Sequence, residues 1–167
     1  EVGLLEVRSM AATPARDAVY LSFFPKATSP ATGPILRLGM DGDATLVVSA
    51  TELEAAGADN AYLWGMEVSP DGLIYTVFSG VERPLVRIDP EAPEGARVEV
   101  LATGKEIAEA LGGMVPGSSA LVDGPFAFDG QGRLFFLADV MVVEDGIEQP
   151  RRLLSASGLH CGQDSGT

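Results

Sequence analysis

The chain has 167 residues, 46% of them apolar and 21% charged, which suits one globular unit with a sizeable core and excludes a disordered chain. Its 24 acidic residues against 11 basic ones leave a net charge of −13, and no basic cluster exceeds the pair Arg151–Arg152, so a nucleic-acid backbone or an anionic membrane surface would be repelled. No run reaches the roughly 18 apolar residues of a membrane-spanning helix, which argues against membrane insertion, and the single cysteine, Cys161, excludes an intrachain disulfide.

Residues 10–20, MAATPARDAVY, read as a strand, a tight turn and a second strand. Past a loop from Pro25 to Gly33, residues 35–48 read as another hairpin that turns at Asp41-Gly42-Asp43. These two acids lack the further ligand positions and the terminal Glu of a calcium loop, and their spacing predicts a strand-to-strand turn. Ser49 and Glu52 then form a Ser-x-x-Glu capping box, which predicts a short helix carrying Leu53 and Ala56 and stopping at Gly57.

The central unit repeats this order. Ala61 to Val68 is strand-like and ends at Ser69-Pro70-Asp71-Gly72, where Pro presets φ, Asp caps the turn and Gly accepts a positive φ. Leu73 to Phe78, rich in β-branched and aromatic residues, is a second strand, broken at Ser79-Gly80 and Glu82-Arg83-Pro84. Leu85 to Ile88 is a third, and after the Pro/Gly loop from Glu91 to Gly95, Arg97 to Leu101 is a fourth. Thr103 and Glu106 form a second capping box, predicting a helix with Ile107, Ala110 and Leu111 that ends at Gly112-Gly113. The third unit offers strands at Leu121–Phe128 and Arg133–Ala138, a hairpin around Glu144-Asp145-Gly146, and a strand at Arg151–Leu154. Beyond Ser157 the chain turns polar and Gly-rich without periodicity.

Met10 lies 56 positions before Met66, and Met66 lies 60 before Phe126, a period of propeller-blade length. The expected fold is therefore all-β: a partial, about three-blade β-propeller of four-stranded antiparallel blades with short helical inserts. The repeats cover about 8–57, 58–113 and 114–157, followed by a tail at 158–167. Closed propellers need four to eight blades, so the chain is expected to be a piece of a larger propeller or to self-associate to close the ring.

The segments WGMEVSPDGLIYTVFSG (64–80), VDGPFAFDGQGRLFFLAD (122–139) and PLVRIDP (84–90) resemble blades of the gluconolactonase/regucalcin-like and NHL-repeat six-bladed propellers. The resemblance spans residues 8 to 155 and rests on architectural motifs. In gluconolactonase-like enzymes it implies a divalent cation, calcium or zinc, held at one channel mouth by Glu, Asn and Asp from different blades, where it polarises a lactone carbonyl. Here the motif's Asn position is Trp64 and its trailing Asp position is Phe78, and no Glu-Gly-Pro-x-Trp segment occurs. The third unit keeps Asp123 before the Gly and Asp139 at the trailing position, and these are the metal candidates. Alone they fall short of the six to eight oxygens a hard cation takes, and as structural residues they would cap a turn and end a strand.

Glu67 breaks the repeat, since Ala11 and Ala127 occupy its place in the other units. A carboxylate there faces a water-filled channel or is paired, because burying it bare is costly. Arg37 and Arg87, at matching third-strand positions, are candidate structural partners. With Asp59, Asn60 and Trp64, Glu67 forms the candidate ligand-binding set, on a rim made acidic by Asp123, Asp139, Glu144 and Asp145. His160, next to Cys161 in the tail, lacks the apposition and orienting group of a catalytic dyad, and no nucleophile elbow, P-loop or dinucleotide fingerprint occurs. The expected function is a non-catalytic binding or scaffolding module that takes a small-molecule or protein ligand at one propeller face, and no catalytic residue is named. The alternatives are a fragment of a metal-dependent lactonase and a phytase-like or esterase-like propeller hydrolase. The compartment is unknown from the sequence, with an extracellular or periplasmic location favoured.

Overall fold

A computed structural model describes residues 6–24, 33–58, 63–78, 84–110, 119–142, 147–148 and 152–156. The architecture is all-β, with three four-stranded antiparallel sheets among these residues. Sheet 1 is a meander of β1 (Glu6–Ala12), β2 (Ala18–Phe24), β3 (Ile35–Gly39) and β4 (Ala44–Val48), followed by helix α1 (Ala50–Ala55). Sheet 2 repeats the order with β5 (Leu63–Val68), β6 (Ile74–Phe78), β7 (Leu85–Ile88) and β8 (Val98–Ala102), then α2 (Gly104–Ala110).

The third sheet departs from the expected meander. Here β10 (Leu134–Val142) pairs β9 (Ser119–Phe128) along one edge. Along its other edge it pairs both the two-residue β11 (Ile147–Glu148) and β12 (Arg152–Ala156). The arms of the hairpin expected around Glu144 thus form as an extension of the β10 end, and β12 takes the third-strand place. The hairpin's tip at 143–146 and the tail from 157 lie outside the described residues.

Local chemistry explains the element boundaries. At the central hairpin Ser69 N–H donates to the Leu73 carbonyl at 2.8 Å and Gly72 N–H to the Ser69 carbonyl at 2.9 Å, while the Ser69 hydroxyl donates to Asp71. Both capping boxes form: Glu52 accepts from Ser49 N–H at 3.1 Å, and Glu106 accepts from Thr103 N–H at 2.8 Å. Helix α1 closes with Gly57 N–H donating to the Glu54 carbonyl and Ala58 N–H to that of Leu53, which satisfies two orphan carbonyls and buries Leu53 and Ala58 together. Asp41-Gly42-Asp43 is a strand-to-strand turn, closed by Gly39 N–H on the Asp43 carbonyl at 2.9 Å.

Period-two alternation sends the faces of sheet 2 to two different cores. Ile74 and Phe78 of β6, with Val86 and Ile88 of β7, pack with Tyr20, Ile35, Val48 and Leu53 of the first unit. The intervening Tyr75, Val77 and Leu85 pack with Ile107, Phe126, Leu134 and Phe136. Tyr75 meets Phe128 edge-on at a ring separation of 5.1 Å. All residues of β6 and β7 are consequently buried. The first strands of successive sheets run side by side, β1 beside β5 and β5 beside β9.

Candidate functional site

Strand register places the residue that breaks the repeat. Ala11 pairs with Tyr20, Glu67 with Tyr75 and Ala127 with Phe135, so these three first-strand positions are structurally equivalent. Just before Glu67 the ladder slips between Trp64 and Met66, leaving Gly65 as a bulge residue at φ +64°. A side chain at that φ would be strained, so Gly is the residue that suits the bulge. The bulge turns the Gly65 carbonyl to accept from the buried Thr76 hydroxyl at 2.6 Å, which satisfies a polar group inside sheet 2.

Beside this bulge lies a hollow of about 360 Å³ where the three first strands approach one another. Arg8 and Met10 of β1 line it, with Gly65, Met66 and Glu67 of β5 and Phe126 of β9. Glu67 is half-buried, and no hydrogen bond or ion pair reaches it among the described residues. Burial pushes its carboxyl above the usual carboxylate range, and no neighbouring cation pulls it back.

Two other hollows are lined by groups whose bonding is already accounted for. One, of about 370 Å³, lies against α1 and the β7–β8 connection. Its Glu52 carboxylate accepts from Ser49 N–H, from Gly95 N–H at 3.0 Å and from Arg97 at 3.5 Å. The other, of about 200 Å³, holds Arg87 paired to Glu99 and Arg97 bonded to the Ala92 carbonyl. Arg37 and Arg87 do occupy matching third-strand positions, opposite Tyr20 and Tyr75. Their partners differ: Arg37 pairs with Asp17 of the first hairpin at 2.9 Å, and Arg87 with Glu99 of the next strand.

The remaining sequence candidates are only partly placed. Trp64 pairs with Val77 through its backbone, and its side chain is not among those described. Asp59, Asn60, Glu144, Asp145, His160 and Cys161 lie outside the described residues. Asp123 sits opposite Leu137 and Asp139 opposite Leu121, on diagonal positions of one ladder, with side chains not described. Among the described residues no group of three or more His, Cys, Asp or Glu is placed to hold a metal ion. Phe78, at the position of the family's trailing Asp, is 0% exposed in the core between sheets 1 and 2. A phenyl ring there offers no ligand to the divalent cation that the lactonase resemblance implies. The walls from β1 and β9, Arg8, Met10 and Phe126, were missing from the sequence-derived set. The equivalence of Met10, Met66 and Phe126 in the repeat was the signal that could have found two of them.

No helix among the described residues is long and apolar enough to cross a membrane. No family model matches the sequence, and no curated protein matches it either. A solved structure, a protein of unknown function from Bacteroides caccae, is similar over 91% of this chain at 14% identity and a TM-score of 0.40. The chain spans 62% of that protein's length.

Proposed function

We propose that the chain is a non-catalytic binding module of β-propeller type, its three sheets acting as consecutive blades of gluconolactonase-like or NHL kind. The observation that carries this reading is the hollow at the meeting of β1, β5 and β9, lined by a carboxylate that breaks the repeat and has no described partner. In a propeller the first strand of each blade faces the central channel, so a ligand held there would touch several blades at once. The equivalent registers of Ala11, Glu67 and Ala127, and the side-by-side first strands, support the blade assignment. Ring closure then requires further blades or additional copies. Binding would draw on a fixed β scaffold, with chemistry supplied by single residues such as Glu67 grafted on it.

The test is a thermal-shift screen against small anionic, neutral and cationic compounds, run beside a lactone-hydrolysis assay with calcium or zinc added. Ligand-dependent stabilisation without turnover is the expected result. Metal-dependent lactone hydrolysis by the purified chain would overturn the reading.

A further inference from the structure

We infer that the hollow between the first strands takes an organic cation, its ammonium group set against Glu67 and its apolar body against Met10, Met66 and Phe126. This inference rests on the binding-module reading and adds the ligand's chemical class. The Glu67 position is the first support. The repeat puts alanine at the equivalent places, so the fold itself does not require a carboxylate there. A half-buried acid without a partner costs stability that alanine would not, and a site for a positive ligand gives that cost a use.

The charges facing the site decide the sign of the ligand. From β6 the residue opposite Glu67 is Tyr75, and from β7 the next in the row is Arg87, which is committed to Glu99. From β9 the wall is Phe126, uncharged. From β1 comes Arg8, an exposed side chain with a contact of its own. No ion pair joins Glu67 to either arginine among the described residues, and burial raises its carboxyl. An incoming ammonium would supply that missing charge. The walls suit the rest of such a molecule: two thioether side chains adapt to irregular shapes, and a buried phenyl ring offers an apolar or π surface.

Calorimetric titration of the full chain at about pH 7.5 with benzylamine, benzyl alcohol and benzoate separates charge from shape. Benzylamine should bind at least about tenfold more tightly than benzyl alcohol, and Glu67→Gln should remove that preference. Lowering the pH toward about 4 should also weaken it, because burial favours the protonated Glu67 carboxyl. Circular dichroism checks that E67Q is folded, as expected for a change that deletes a half-buried charge and keeps its shape. Equal affinity for the three probes, an unchanged preference in E67Q, or no binding by any probe up to about 10 mM would each overturn the inference. Preference for benzoate, lost in Arg8→Gln, would overturn the ligand class and leave the binding-module reading intact. Lactone turnover with the benzylamine preference intact would do the reverse.

Discussion

At the scale of single residues, the three first hairpins solve one backbone problem with different side chains. Thr13, Ser69 and Asp129 each open a turn by donating N–H across it, to Ala18, Leu73 and Arg133 carbonyls at 3.0, 2.8 and 3.1 Å. Each turn then contains one residue of positive φ: Arg16 at 57°, Gly72 at 91° and Gly132 at 75°. Only the first hairpin asks a residue with a Cβ to adopt the left-handed region, at a cost of roughly 1–2 kcal/mol. Arg16→Gly should relieve that strain and lose part of the gain to the greater freedom of glycine in the unfolded chain. A net stabilisation of about 0.5–1 kcal/mol is expected, read as a higher urea midpoint with an unchanged slope. No gain would mean that the Arg16 side chain itself holds the turn.

At the scale of elements, α1 does more than cap itself. The Glu52 carboxylate completes the helix's capping box and also accepts from Gly95 and Arg97 in the β7–β8 connection, so the insert after sheet 1 is tied to sheet 2. Burial works to raise its carboxyl, but the bonds from Gly95 and Ser49 and the Arg97 charge outweigh it and hold the group below the ordinary value of 4.5. An acid depressed in the folded state contributes stability that is present above its unfolded value and lost as pH falls through the folded one. Thermal melts of wild type and Glu52→Gln should therefore differ by about 1–2 kcal/mol near pH 7 and converge in acid, as the pH falls through the lowered folded value. A gap that persists in acid would assign the effect to packing. The capping box was legible because its partners lie three residues apart. The clamp to Gly95 was not, because it spans 43 positions and depends on how two sheets dock. The same limit applies to the hollow: Glu67 stood out against Ala11 and Ala127, whereas the repeat aligned Met10 and Phe126 with Met66 without showing that the first strands come together, and it carried no signal for Arg8.

At the scale of the whole molecule, the strand pattern was readable as four-stranded antiparallel units because turn chemistry punctuates it at regular spacing. The edge pairing of β10 with both β11 and β12 was not, since short apolar runs carry no register of their own. The repeat also exposes an asymmetry. Met10 and Met66 hold equivalent positions, opposite Leu21 and Thr76 in their ladders. Sheet 1 covers Met66, which is 6% exposed, while Met10 on the outermost sheet is 68% exposed. The row continues through Leu36 to Leu46, itself 59% exposed, and in sheet 2 through the buried Val86 to Val100, 43% exposed. Burial sets the cost of truncation, so Met66→Ala should lose about 2–3 kcal/mol and Met10→Ala no more than about 0.5 kcal/mol in dilute protein. The contrast tests what covers the outer face of sheet 1 in solution. If a second copy packs there, Met10→Ala becomes nearly as costly as Met66→Ala, and the wild-type melting temperature rises with protein concentration. Denaturant curves at two concentrations separated by about a hundredfold distinguish the cases: for an uncovered face the two curves superimpose, and the Met10 and Met66 variants keep their unequal midpoints.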